Sequence, residues 1–205
     1  MDGEQLDKTL NAQSEQPDRT FADQRTRTLN ERFDTVAEHL VSDKPPAVRV
    51  AGVYAMAGLA DDWPEHRQMC VEVLCGYLRM PYEPDPGDDA PVEKRLAFQA
   101  SREVRHTVIR VIAAHLNGTA PVSWCGLNFD FTRAVFDGGD FNGAKFSSGT
   151  VSFAGAGFSG GTVDFSRVAS WTQPPDFGSG FDMSHPPAGV MLPPATSPSP
   201  DSPVP

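Results

Sequence analysis

Phe131-Thr-Arg-Ala-Val-Phe136-Asp-Gly-Gly-Asp-Phe141-Asn-Gly-Ala-Lys-Phe146 carries a phenylalanine at every fifth position, with Ala134, Gly139 and Ala144 two places ahead of the last three. A period of five fits neither the 3.6 of a helix nor the 2.0 of a flat strand, so the chain must turn a corner between successive rings. That pattern predicts a coiled β-solenoid. An inward ring every five residues, with a small residue beside it to let the walls approach, stacks aromatics into a ladder while main-chain bonds join rows about 4.8 Å apart.

The tract continues with a changed period. Phe146-Ser-Ser-Gly-Thr-Val151-Ser-Phe153 is echoed twelve residues later by Phe158-Ser-Gly-Gly-Thr-Val163-Asp-Phe165, so each unit is five plus seven. The two extra residues make either a longer face or a bulge. The expected core of the tract is Phe131, Phe136, Phe141, Phe146, Val151, Phe153, Phe158, Val163 and Phe165.

Leu127-Asn-Phe-Asp-Phe131-Thr-Arg-Ala-Val-Phe136-Asp-Gly-Gly-Asp-Phe141 resembles the pentapeptide-repeat proteins. The resemblance implies a right-handed quadrilateral β-helix. Residues 21–194 as a whole are similar to an uncharacterised actinobacterial group that joins a helical region to a short repeat tract. The likeness is carried by Val48-Arg-Val-Ala-Gly-Val-Tyr-Ala-Met-Ala-Gly-Leu59, Val73-Leu-Cys-Gly-Tyr-Leu-Arg-Met-Pro-Tyr82, Glu103-Val-Arg-His-Thr-Val-Ile109 and the unit from Phe158 to Phe165. Many of those relatives carry membrane-spanning helices upstream of the helical region, and this sequence shows no such apolar run. Other pentapeptide-repeat proteins bind DNA gyrase as rod-like mimics of DNA. Here residues 129–169 make roughly two coils, a stack about 10 Å tall at strand spacing. That is too short to imitate a duplex, and the tract lacks an acidic stripe to stand for phosphates.

Ahead of the tract the pattern is helical. Leu29, Phe33, Val36, Ala37 and Leu40 form an apolar stripe that stops at Ser42-Asp-Lys-Pro-Pro46. A second helix is predicted from about Pro46 to Ala60. Asp61-Asp-Trp-Pro64 reads as the cap of a third, which carries Val73, Leu74, Tyr77 and Leu78 until Pro81 ends it. After the linker Glu83-Pro-Asp-Pro-Gly-Asp-Asp89, a fourth helix from about Val92 to Leu116 aligns Leu96, Val104, Val108, Val111 and Ile112, with Gly118 as its stop. Val48-Arg49 with Val53 and Met56 is echoed by Val104-Arg105 with Ile109 and Ile112, a HEAT-like pairing of helices. The expected fold class is therefore α+β. Residues 1–20 are predicted disordered, 21–118 helical, 119–170 the repeat β-helix, and 171–205 a proline-rich tail, first packed and then disordered.

The formal net charge of −10 is concentrated in the segments read as loose or linking, above all the five acidic residues and no basic one of 81–93. The two folded parts are nearly neutral, so acidity speaks to solubility rather than to a nucleic-acid partner, and none is expected. Three cysteines, Cys70, Cys75 and Cys125, without C-x-x-C spacing suit free thiols in a reducing compartment. The polar start is no signal peptide, and a cytoplasmic protein is expected.

Several literal motifs carry little chemistry. Gly155-Ala-Gly-Phe-Ser-Gly160 matches a dinucleotide fingerprint, yet it lies within the repeat with no helix after it. Gly157-Phe-Ser-Gly-Gly161 matches a nucleophile elbow with Asp164, Asp176, Asp182 and His185 downstream, but Lys145-Phe-Ser-Ser-Gly149 occupies the same place one unit earlier. His66 with Cys70, and Glu103 with His106, have helix-face ligand spacing without a second pair. No catalytic residue, metal or cofactor is expected. In the tail, Trp171, Phe177, Phe181 and Met191-Leu192 are expected to fold back over the repeat, in a chain too rich in proline for regular sheet or helix. The helices should cap the opposite end, near Trp124 and Leu127. The functional expectation is a non-enzymatic protein–protein interaction or scaffold module acting on a protein partner or by self-association, without an integral membrane segment. The competing reading is an enzyme or small-ligand binder in a groove between the halves lined by Tyr77, Arg105, His106 and Trp124. A third is a regulator held near the membrane through a partner.

Overall fold

Proline sets most boundaries of the helical part. The computed structural model describes residues 3–41 and 43–194, and side chains from residue 21 onward. Helix α1 spans Gly3–His39, α2 Pro46–Asp62, α3 Arg67–Arg79 and α4 Val92–Leu116, with a 3₁₀ turn at Pro64–His66. Pro46 and Pro64 each stand in the first turn of their element, where the missing N–H costs nothing. The linker from Pro81 to Gly87 contains neither helix nor strand.

Three local expectations are corrected. Residues 3–20, expected to be disordered, are described as part of helix α1, since Glu, Gln, Leu and Lys are good helix formers however polar the segment. Asp61 and Asp62 do not cap α3. They are the last turn of α2, and Asp61 serves a tertiary contact described below. Leu96 is 59% exposed, because only from Val104 onward does α4 meet the core.

The helical core is built by the remaining stripes: Leu29 and Val36 of α1 with Leu40 just after it, Val53, Met56 and Leu59 of α2, Leu74 and Leu78 of α3, and Val108 and Ile112 of α4, all buried. It runs without a break into the ring-filled interior of the repeat half.

That second half consists of two-residue strands in parallel pairs. β1 (Phe129–Asp130) pairs with β4 (Val151–Ser152), β2 (Val135–Phe136) with β5 (Gly157–Phe158), and β3 (Gly139–Asp140) with β6 (Val163–Asp164), which also pairs with β7 (Val190–Met191). Partners are 22 residues apart in the first two pairs, 24 in the third and 27 in the last, by the registers Phe129↔Val151, Phe136↔Phe158, Gly139↔Val163 and Val163↔Val190. The rings follow the strands. Phe131 stacks with Phe153 at 4.9 Å and Phe153 with Phe177 at 5.2 Å. Phe136 lies 5.8 Å from Phe158, and Phe141 lies 4.9 Å from Phe165 in nearly parallel planes. Phe146 meets Trp171 edge to face at 5.4 Å. Of the nine expected core residues, eight are buried and Phe158 is half-buried.

The register also resolves the seven-residue unit. Between the paired positions Phe136↔Phe158 and Gly139↔Val163, the earlier row takes three steps and the later row five. Residues 159–162 are therefore a two-residue bulge over Asp137 and Gly138. Gly161 is required there, because a Cβ would overlap the Asp137 carbonyl.

The tail is partly regular. Trp171, Phe177 and Phe181 pack on the rings, Phe181 against Phe177 at 4.4 Å. Against expectation, Val190–Met191 forms a strand, since the proline-free stretch between Pro187 and Pro193 offers its carbonyls to the Val163 and Phe165 N–H groups, each at 2.7 Å. The expected disorder of 195–205 falls outside the described residues.

Candidate functional site

Polar side chains converge where the helices meet the repeat rows. Gln68 of α3 exchanges two hydrogen bonds with the main chain of Asn128, each 2.9 Å, in the manner of a strand neighbour. Arg79 donates to the Asp130 carboxylate at 2.9 Å. Ile109 of α4 lies close enough to Gly139 that even a Cβ would press on it.

Arg105 is 3% exposed and donates to the Leu78 carbonyl at 2.8 Å and the Val135 carbonyl at 2.7 Å. Its second terminal nitrogen reaches the Tyr77 carbonyl at 3.4 Å. The guanidinium thus satisfies orphan carbonyls at the C-terminus of α3 and ties them to β2. Its Cζ lies over the Tyr82 ring, 4.3 Å from the ring centre. Burial lowers the Arg105 pKa from its ordinary value.

Asp137 is the second focus, 5% exposed directly after β2. One carboxylate oxygen accepts from Tyr82 Oη at 2.7 Å and Arg102 Nε at 2.9 Å, and the other faces His106 Nε2 at 2.8 Å. Burial alone would raise its pKa, but the hydrogen bonds from His106, Tyr82 and Arg102 prevail and hold it at about 2. The same burial and the bond to Asp137 push the Tyr82 phenol well above its usual range. A parallel arrangement stands at Asp61, which accepts from Trp124 Nε1 at 2.9 Å and faces His115 Nε2 at 3.2 Å. The His115 ring stacks on Trp124 at 3.9 Å.

Beside Asp137 opens a groove of about 760 Å³ between α4, the linker and the bulge, bordered by Tyr82, Phe98, Arg95, Arg102, Asp137 and Ser159. The four residues expected to line a groove are divided by the structure. Tyr77, 7% exposed, receives a 3.0 Å hydrogen bond from Arg49; Arg105 and Trp124 are interior, and His106 alone faces a surface depression. Of these, Arg105 ties α3 to β2, while the polar atoms of Tyr77 and Trp124 bond to Arg49 and Asp61 of α2. Tyr82, Arg102 and Asp137 were not singled out by sequence. Their signal is faint: Asp137 occupies the corner position after a repeat phenylalanine, as many exposed residues do.

The literal motifs are occupied by turn chemistry. Asp164 and Asp176 each accept the N–H two residues on, at 2.8 and 2.7 Å, as do Asp130, Asp140 and Asp182. His66 packs on Trp63 at 4.2 Å, while Cys70 is buried and its thiol pushed up to about 11. Glu103 pairs with Arg110 at 2.7 Å. Among the described residues no group of three or more His, Cys, Asp or Glu side chains is placed to hold a metal ion, and no helix is long and apolar enough to cross a membrane.

Fold and junction together define a mixed α+β protein in which four helices precede short parallel strands, the two parts joined by buried Arg105 and Asp137. No family model matches the chain, and no curated protein and no solved structure matches it.

Proposed function

We propose that this chain is a non-enzymatic interaction module of the pentapeptide-repeat kind, a HEAT-like helical part joined to a short right-handed quadrilateral β-helix. The observation that carries the reading is the set of parallel pairings at 22 to 27 residues with rings stacked above one another, the spacing of a four-sided coil. A coil filled with phenylalanine keeps no internal cavity, so it offers its outer walls and helical lid to a partner. The pairing of Arg105, Asp137 and Asp61 with neighbouring protein groups supports a structural use of the junction.

The test is affinity capture from native lysate with the parent chain and with Tyr54→Lys, whose ring is 55% exposed on α2. A protein captured by the parent and lost with Tyr54→Lys, at unchanged melting temperature, fits the proposal. Turnover of a small molecule that Arg102→Gln abolishes would replace it with the enzyme reading, for which the groove beside Asp137 is the specific observation.

A further inference from the structure

One strand of the repeat half keeps a bare edge. Gly157 and Ser159 donate to the Ala134 and Phe136 carbonyls at 2.9 and 2.8 Å, so the N–H and C=O of Phe158 between them point to the opposite edge of β5. Neither has a partner there among the described residues. The same edge of β6 is covered by β7, and that of β4 by Asp176, whose N–H and C=O bond the Val151 carbonyl and the Phe153 N–H at 2.8 and 2.6 Å. Phe158 is also the one expected core residue left half-buried.

The gap is written in the sequence. Phe158 follows Phe153 by five positions, whereas Phe181 follows Phe177, which stacks over Phe153 at 5.2 Å, by only four. The ring arrives early. It packs on Phe177 at 4.4 Å and crosses Phe158 at 67° while its main chain stays unpaired with β5. Beyond it Asp182 closes a turn by accepting the Ser184 N–H at 2.8 Å, and Pro186 and Pro187 have no N–H to give. This stretch cannot fill the place itself.

What is left is a cavity of about 690 Å³ bordered by Phe158, Phe181, Gly155 and Asp182. The Asp182 carboxylate is 61% exposed, and hydrogen bonds from Ser184 and His185 hold it below the usual carboxylate range. Among the described residues no lysine or arginine borders the cavity. A free main-chain donor and acceptor side by side ask for a strand, aromatic faces ask for an apolar side chain, and an exposed carboxylate asks for a cation. Alternate side chains of a strand face opposite ways, so one residue meets the rings and its neighbour points outward to the charge. We propose that β5 takes a strand from another protein at this edge, parallel like every named pair of this half, with an apolar residue opposite Phe158 and a lysine or arginine next to it at Asp182. The inference rests on the interaction reading and names the kind of partner.

The probe is the peptide acetyl-Thr-Val-Arg-Thr-amide, added to the full ¹⁵N-labelled chain up to about 5 mM, a range that reaches weak contacts. The expected result is a shift of the Phe158 amide and slower hydrogen exchange there, with the amides of α2 unmoved. Affinity should fall about threefold with Asp182→Asn, as for an exposed ion pair. Asparagine keeps an acceptor for the turn, and melting checks that the variant folds. The same peptide N-methylated at arginine should leave Phe158 in place, because it lacks the N–H that the Phe158 carbonyl needs. A Phe158 amide that never moves, or that moves equally with the methylated peptide, would overturn the proposal. So would a Phe158 amide already protected without peptide in proportion to protein concentration, which gives the edge to a second copy. A partner captured from lysate while Phe158 stays unmoved by the peptide keeps the interaction reading and ends this inference.

Discussion

Replacing Asp137 by asparagine keeps the shape of the side chain and removes its charge, so it isolates what the ionised carboxylate does for the fold. In the folded chain that carboxyl titrates at about 2 against an ordinary 3.8, held down by His106, Tyr82 and Arg102. Its contribution is complete above the unfolded value and is lost as pH falls through the folded one. The interval corresponds to about 2.5 kcal/mol at pH 7 and about 1.3 kcal/mol at pH 3. Asparagine does not titrate, and every other group is common to both proteins. Urea unfolding of parent and Asp137→Asn should therefore differ by about 2.5 kcal/mol at pH 7 and by roughly half of that at pH 3. A gap that is equal at the two pH values, or that widens toward acid, would refute the assignment of the charge as the stabilising element.

Other outcomes follow from the packing. Phe141→Asp should abolish cooperative melting by burying an unpaired charge among Phe146, Phe153 and Phe165, whereas Phe141→Ala should cost about 3–5 kcal/mol and leave a transition. Gly161→Ala should lower the melting temperature because its methyl group meets the Asp137 carbonyl, while Gly58→Ala, in α2 with nothing within 4 Å, should raise stability by about 1 kcal/mol. Burial pushes the Cys70 and Cys75 thiols up to about 11 and 12, so iodoacetamide at neutral pH should modify half-buried Cys125 first, as read by mass spectrometry of the intact chain. Arg105→Ala should destabilise by about 3 kcal/mol in denaturant and Arg105→Lys by less, since one ammonium can serve the Leu78 and Val135 carbonyls that a single guanidinium nitrogen serves now but not the Tyr77 carbonyl bound by the other.

The parts of the fold that could be read in advance are those where one residue type repeats at a fixed interval. Leu74 and Leu78 announce α3, and the phenylalanines from Phe131 to Phe146 announce buried rings at chain corners, because burial leaves a periodic trace. The bulge at 159–162 was visible as two surplus residues, but its position depends on which earlier row it faces, a non-local fact. The strand at Val190–Met191 leaves no trace in the sequence, because it has no period of its own and exists through β6. Arg105 and Asp137 illustrate the limit for sites. The first reads as one more helix arginine and the second as one more corner aspartate, until packing brings Tyr82 and His106 to the aspartate from 55 and 31 residues away.

The single guanidinium that grips the end of α3 and strand β2 has a consequence for heritable change. A gene split between residues 118 and 119 would leave Arg105 with the Tyr77 and Leu78 carbonyls of its own product and the downstream product with an unanswered carbonyl at Val135. Of the three carbonyls this side chain serves, only the one at Val135 crosses that cut, so separation is felt first by the downstream segment.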